Sequence, residues 1–410
     1  MEKNIFSNNS DQVSLLVYTE SFLEEDASFL YFNNANKLNI IQVFYMPLLC
    51  PPSRDLPVLT GTYRSWCQDN RNFTSIVFPE CSGIVSEYYP ANPDKTDFDN
   101  HKLAEKNLLM GRSFSDLFDY IVCSDSWCKR HKNFASVISF SECKEMLRLF
   151  LIMKKNFAIN TNFVCDETLY YIYHHKELFN EFQNFWSACV ANGPISDWAV
   201  ALDNRLLLFS ICVDNAKIEA YKVQNNTTAM HLKYHISYLL LLITGIFDNL
   251  AWLINNLYGL ELERLKIDLL KKEFRQNIKR KSVRIYEILA NENLISRIEA
   301  IRELRDKIVH RDFIETVSSR GADGNFQNYL WIDKTANDKM VKAKFPSDGF
   351  FIRTKNESAL DIVEFINFVT NIAVEIVNDI LKTIADEIYQ SQHQYIIWKL
   401  FNFPEKPYIL

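Results

Sequence analysis

Arg305, Asp306 and His310 lie within six consecutive residues, in the run Arg305-Asp306-Lys307-Ile308-Val309-His310, followed at once by Arg311 and Asp312. Histidine exchanges protons near neutral pH. Arginine stays charged and grips phosphate oxygens through a planar fork. A proton-transfer group beside a fixed cation is the minimum needed to cut RNA without a metal. Apolar residues Leu294, Ile298, Ile301, Leu304 and Ile308 recur at helical steps, so a helix over about 293–311 must position the pair. Arg305 falls on or beside the face that spacing buries, where a charge needs a partner or a polyanion. His310 is rotated about 140° from Arg305 on a straight helix, with β-carbons roughly 10 Å apart. Long side chains converging on one phosphate, a helix end or a second subunit would bridge that gap. Asp306, four residues before His310, is placed to orient the imidazole. The competing reading is a surface pair, with Arg305 extending out of the core.

The surrounding elements read as mainly helical from residue 140 onward. Before that, short β-branched and aromatic runs separated by prolines read as a mixed, strand-rich α+β region. The expected organisation is a strand-rich domain over 1–135, a helical connecting region over 136–225 and a helical bundle over 226–410, with an insertion at 318–354. Four long helices are expected in the last part, at about 229–258, 261–290 (bent), 293–311 and 357–388. The insertion carries two strand-like runs, 329–332 and 350–352, suited to a small hairpin. The window 236–254 is apolar enough to span a bilayer. Asp248 and Asn249 within it favour a buried core helix. Ser237, Thr244, Asp248 and Asn255 on the same helix form a narrow polar stripe, facing either a second subunit or a buried network.

The sequence of 410 residues carries a net charge of −6, so nothing draws nucleic acid to it globally. Between Glu261 and Arg284, however, nine basic residues (Arg264, Lys266, Lys271, Lys272, Arg275, Lys279, Arg280, Lys281, Arg284) oppose four acidic ones. Such a surplus either holds a polyanion or is a solvated helix face. Nine cysteines without framework spacing indicate reduced thiols, and the first residues lack a signal-peptide pattern, so a cytoplasmic protein is expected. Cys123, Cys128, His131 and Cys143 have ligand types suited to zinc but no standard spacing, and buried thiols are the simpler reading. His174-His175, read as beginning a helix, lack a carboxylate at metal spacing, and His231 and His235 lack a following Glu pattern. Neither a phosphate-binding glycine loop nor a nucleophile elbow is present.

The pattern Arg305-Asp306-x-x-x-His310, late in one helix, resembles the Arg-x4-6-His motif of the HEPN superfamily, over roughly residues 229–388. The resemblance implies an up-and-down bundle of four or five helices that acts as a homodimer. It implies a metal-independent endoribonuclease without cofactor, in defence, toxin or stress response. Arg305 and His310 would be catalytic, with Asp306 and Asp248 beside them, and products would end in a 2′,3′-cyclic phosphate. Lys279, Arg280, Lys281, Arg284, Lys307 and Arg311 would hold the RNA backbone. The N-terminal part would sense a ligand or regulatory partner, and no membrane is involved. Some members of the superfamily only bind, so an inactive module that dimerises and binds RNA or a protein is the alternative.

Overall fold

The computed structural model describes residues 5–6, 13–19, 41–47, 59–60, 62–68, 71–78, 83–90, 119–123, 137–160, 163–189, 193–310, 315–320 and 326–391. The chain forms two compact units, one essentially of Met1–Val164 and the other of Cys165–Ser319 with Phe326–Tyr408. The expected connecting region is divided between them.

The first unit is built on a five-stranded sheet. Strands β1 (Val13–Thr19), β2 (Ile41–Pro47), β3 (Leu59–Thr60), β7 (Tyr120–Cys123) and β8 (Val137–Ser139) lie in the order β3-β2-β1-β7-β8. Every pairing is parallel, with Val13 opposite Ile41 and Leu15 opposite Tyr120. Parallel strands are covered on both faces and so read as nearly unbroken apolar runs, as Leu15-Leu16-Val17-Tyr18 does. Between β3 and β7 the chain inserts an antiparallel meander of β4 (Thr62–Gln68), β5 (Arg71–Phe78) and β6 (Gly83–Pro90). Helix α1 (Phe140–Met153) follows β8 directly. Ser139 caps it with Glu142 in a reciprocal capping box. A short hairpin of β9 (Ala158–Asn160) and β10 (Phe163–Val164) ends the unit.

The second unit is mostly helical. Asp166 caps α2 (Glu167–Leu178), which is followed by α3 (Phe182–Cys189) and α4 (Gly193–Tyr221). The polar run 225–228, which looks like a helix breaker, starts the next helix: Asn225 accepts hydrogen bonds from the backbone of Thr227 and Thr228 and caps α5 (Asn226–Leu257). Gly259, at φ 56°, ends α5 in the left-handed conformation that suits glycine. This is the one helix among the described residues long and apolar enough to cross a membrane, and 67% of its apolar window is buried inside the unit. It packs against α4, α8 (Glu292–His310) and α10 (Ile362–Ser391). Phe209, Phe247, Phe274 and Phe365 are fully buried in the shared core.

Two expected elements change. The bent helix over 261–290 is a 3₁₀ turn at Arg264–Lys266, then α6 (Lys272–Lys279) and α7 (Val283–Leu289). Ser282 interrupts it by capping α7 through Ile285 N–H while donating to Glu387 Oε1 at 2.6 Å. The last helix starts five residues later than its periodicity suggests. Glu357–Asp361 is strand β14, and Asp361 then caps α10. Strand β14 separates β12 (Phe326–Asp333) from β13 (Phe350–Arg353), with β11 (Glu315–Arg320) beyond β12. Both strand-like runs are therefore strands, but they do not pair with each other. Helix α9 (Lys334–Lys342) completes the insertion.

Candidate active site around Asp248 and Arg305

Helix α8 buries Leu294, Ile298, Ile301 and Leu304 and carries Arg302 and Arg305 along the margin of that face. Arg305 is 30% exposed, and its Nη1 donates to Oδ1 of its neighbour Asp306 at 2.6 Å. The buried-face reading thus holds only at the edge: the guanidinium reaches partial solvent and finds a local partner. An exposed pair of this kind contributes little and exchanges readily for a phosphate. The Asp306 carboxylate, expected to orient His310, is engaged by Arg305 instead. His310 is the last residue of α8. Its side chain and the whole of Arg311 lie outside the described residues.

Across from α8, Asp248 projects from α5 with its side chain 56% exposed. Arg302 bridges two carboxylates. Its Nη1 donates to Asp268 Oδ2 at 2.7 Å, while its Nη2 stands 3.7 Å from Asp248 Oδ1. Asp268 also accepts from Leu270 N–H at 2.8 Å. Burial alone would raise Asp268, but Arg302 and the Leu270 amide outweigh it and hold this carboxyl below the usual range. Asp248 moves the opposite way. Packing at its base and the charge of Asp268 push it up, against Arg302, Arg305 and Arg205. Two carboxylates that share one arginine are thus shifted in opposite directions, the arrangement that acid–base sites use.

The polar stripe on α5 dissolves into separate roles. Thr244 is buried and donates back to Leu240 O at 2.9 Å. Asn255 is buried and accepts from Leu262 N–H. Of the four residues, Asp248 alone joins the site.

The expected RNA-binding residues separate in the same way. Lys307 forms an ion pair with Asp333, the cap of α9, and has a structural role. Arg284 pairs with Asp386 at 2.8 Å. Lys279 stands over the ring of Tyr286 at 4.8 Å. Arg280 and Lys281 are exposed. This run leads through α7 into the N-terminal end of α8, and Arg305 lies about 20 Å further along that helix axis. From the same run Lys271 does reach the site, where its charge acts on Asp268.

His174 and His175 occupy the second half of α2 and do have carboxylate partners. His175, 2% exposed, faces Tyr171 O at 3.0 Å with Nδ1 and Asp203 Oδ1 at 2.9 Å with Nε2. The contact with Asp203 fastens α2 to α4. His174 stands 4.0 Å from the buried Asp214. Burial and the neighbouring His231 and Lys222 lower His235, against the pull of Glu219. Cys123 and Cys143 are buried, and burial with the adjacent Glu142 raises Cys143 well above an ordinary thiol. Cys128 and His131 lie outside the described residues.

Compared with protein-family models, curated proteins and solved structures, the chain matches none. The site must be judged by its own geometry. That geometry adds Arg302, Asp268 and Arg205 to the residues legible in the sequence. Gly245 was the available signal: a lone glycine inside a long apolar helix usually marks a close approach, and here the approaching group is the Arg205 guanidinium.

Proposed function

We propose that the second unit is a HEPN-like, metal-independent endoribonuclease. The observation that carries this reading is that Arg302 and Arg305, on the helix that ends at His310, both lie within electrostatic range of the Asp248 carboxyl on α5, with Arg302 Nη2 3.7 Å from its Oδ1. In this mechanism His310 takes the proton of a ribose 2′-hydroxyl, which attacks the adjacent phosphorus. Arg305 leaves Asp306 and neutralises the charge gathering on the phosphorane oxygens. The 5′-oxygen departs with a proton, and Asp248 is the nearby group able to supply it. The chain then carries a 2′,3′-cyclic phosphate at the cut end. Arg302 holds Asp268 through a hydrogen bond beside Asp248 and does not turn over.

The homodimer, the role in defence or stress response and the cytoplasmic setting belong to the same proposal. The first unit fits the expected sensor. Its strand order reverses between β1 and β7, and open parallel sheets take up ligands outside the carboxyl ends of strands at such a switch point.

A second reading, a binding module without catalysis, is favoured by the Arg305–Asp306 pair, which occupies the arginine in the free protein. Incubating the purified chain with total RNA and a chelator, beside its His310→Ala variant, separates the two. Cleavage that survives chelation and disappears in the variant supports the enzyme. RNA binding without cleavage in either protein leaves the binding module.

A further inference from the structure

Trp198 of α4 and Trp252 of α5 stack face to face, 5.4 Å between centroids and 5° apart in plane. Seven residues on along α4 and seven back along α5, Arg205 lies across Gly245, so close that a β-carbon there would collide with Arg205 Nη1. One antiparallel register therefore stacks two layers, an indole pair and an arginine on bare backbone, separated by two helical turns or about 10 Å. Asp248 falls between the layers on the same edge of α5, three residues after Gly245 and four before Trp252. Both tryptophans are half-buried and Arg205 is exposed. Arg302 and Arg305 are tied to Asp268 and Asp306. Arg205 has no hydrogen bond or ion pair with another described residue, and its charge acts on Asp248 at longer range.

A half-buried indole pair that rests on the core, with a guanidinium free of described partners two helical turns away, matches one ligand chemistry, a nucleobase joined to a phosphate. Parallel indoles extend their stack to a third ring, and Arg205 offers two N–H groups in a fork to phosphate oxygens. A base is free to stack outward only when the strand is single, since duplex bases already stack on each other. The geometry points to Trp198, Trp252 and Arg205 as positioning residues that hold a base and a neighbouring phosphate of single-stranded RNA against the Asp248–Arg305 centre. This inference rests on the endoribonuclease reading and adds its substrate class.

The test uses the full-length His310→Ala protein and a short fluorescein-labelled single-stranded oligoribonucleotide. Anisotropy and indole fluorescence are read together. Quenching on binding is expected, as is weaker binding of the same strand annealed to its complement. Arg205→Ala and Trp252→Ala should each weaken binding about ten- to a hundred-fold, the scale of removing one stacked base or one phosphate clamp. Trp252→Phe should retain most of the affinity. Gly245→Ala supplies an independent handle, because alanine favours a helix but drives the Arg205 guanidinium away. It should reproduce Arg205→Ala, and combining the two should add nothing, as expected for changes acting through one group. In the cleaving protein Trp252→Ala should raise KM and leave kcat within a few-fold, and Arg205→Ala, whose charge also acts on Asp248, should raise KM more than it lowers kcat. If the parent binds RNA and all these variants bind equally well, the inference fails and the ribonuclease reading stands. If the parent binds no RNA and the unmutated chain cuts none, both fail.

Discussion

Arg305 shows how little a charged residue's sequence position reveals about its partners. Its spacing places it against the core, yet it settles at the margin and takes Asp306 as a local counter-ion. In the proposed reaction that pair must open, so Arg305→Ala should lose cleavage with little change in thermal unfolding. His310→Ala should lose about 10²–10⁴-fold in rate, the usual worth of a general acid or base. RNA digestion assays on refolded, circular-dichroism-matched variants check both. Undiminished cutting by either variant would remove that residue from the chemistry. Asp248 gives a prediction with a defined sign. Its carboxyl is raised in the folded chain, so its ionisation works against folding at neutral pH. Stability associated with Asp248 is complete below the free carboxyl range, about pH 4, and falls as pH rises through the raised value. Asp248→Asn should therefore raise the unfolding temperature at pH 7 relative to the parent, and the difference should shrink at pH 3. An equal difference at both pH values would show that the carboxyl is not raised. His175 is purely structural by its geometry. Its removal gives up the Asp203 contact and leaves a cavity at a buried position, so His175→Ala should cost about 2–4 kcal/mol in urea unfolding.

At the scale of elements, the basic run between Glu261 and Arg284 is divided by its own secondary structure. Arg275 donates to Leu270 O and Leu289 O and so ties α6 to the end of α7. Lys266 pairs with Glu273 at 3.0 Å and Arg284 with Asp386. Lys279, Arg280 and Lys281, at the junction of α6 and α7, keep exposed side chains. If RNA extends from the Arg305 site along α8, these three residues contact its distal backbone. Reversing their charge should weaken binding and lower the log–log salt slope by about 0.7 for each phosphate that is no longer neutralised. Affinity measured from low to high salt checks this. An unchanged slope assigns the run to solvent alone, with the site at Asp248 untouched.

For the whole molecule, assembly turns on what covers α5. The N-terminal half of this helix exposes Met230 (61%), Tyr234 (62%) and Leu241 (45%) along one edge, and the Tyr234 ring stacks on Tyr238. Apolar groups aligned at helical spacing on an exposed edge favour a partner surface. The C-terminal half of the same edge carries Asp248 and the tryptophan pair. A two-fold contact through the first half would set the second halves facing one another across a cleft, so that the two subunits share one site. Sedimentation at micromolar concentration should therefore show a dimer, and Tyr234→Glu with Leu241→Glu should give a monomer with much reduced cleavage. A monomer that cuts RNA at the full rate would exclude a shared site while leaving His310 in place.

Much of the helical architecture was legible because local signals and burial agreed. The apolar spacing of Leu294 to Ile308 marks α8 to within a residue or two, and the long apolar run with Gly259 marks α5 and its end. The motif linking Arg305 to His310 needed only position along one helix. Strand direction was not legible, because a pleated apolar run reads alike in parallel and antiparallel sheets until its neighbours are known. Thus the first unit's sheet emerged only from its pairing. Glu357–Asp361 followed the same logic: helical periodicity included it, but strand partners Tyr329–Asp333 claimed its backbone hydrogen bonds. The surroundings of Asp248 were decided wholly by tertiary structure. Arg205, Asp268 and Arg302 come from separate segments, and only the packing of α4, α5 and α8 brings their charges within range of one carboxyl. A sequence specifies which groups can carry charge or protons; the distances between them, which set their energies through Coulomb's law and desolvation, exist only once the chain has folded.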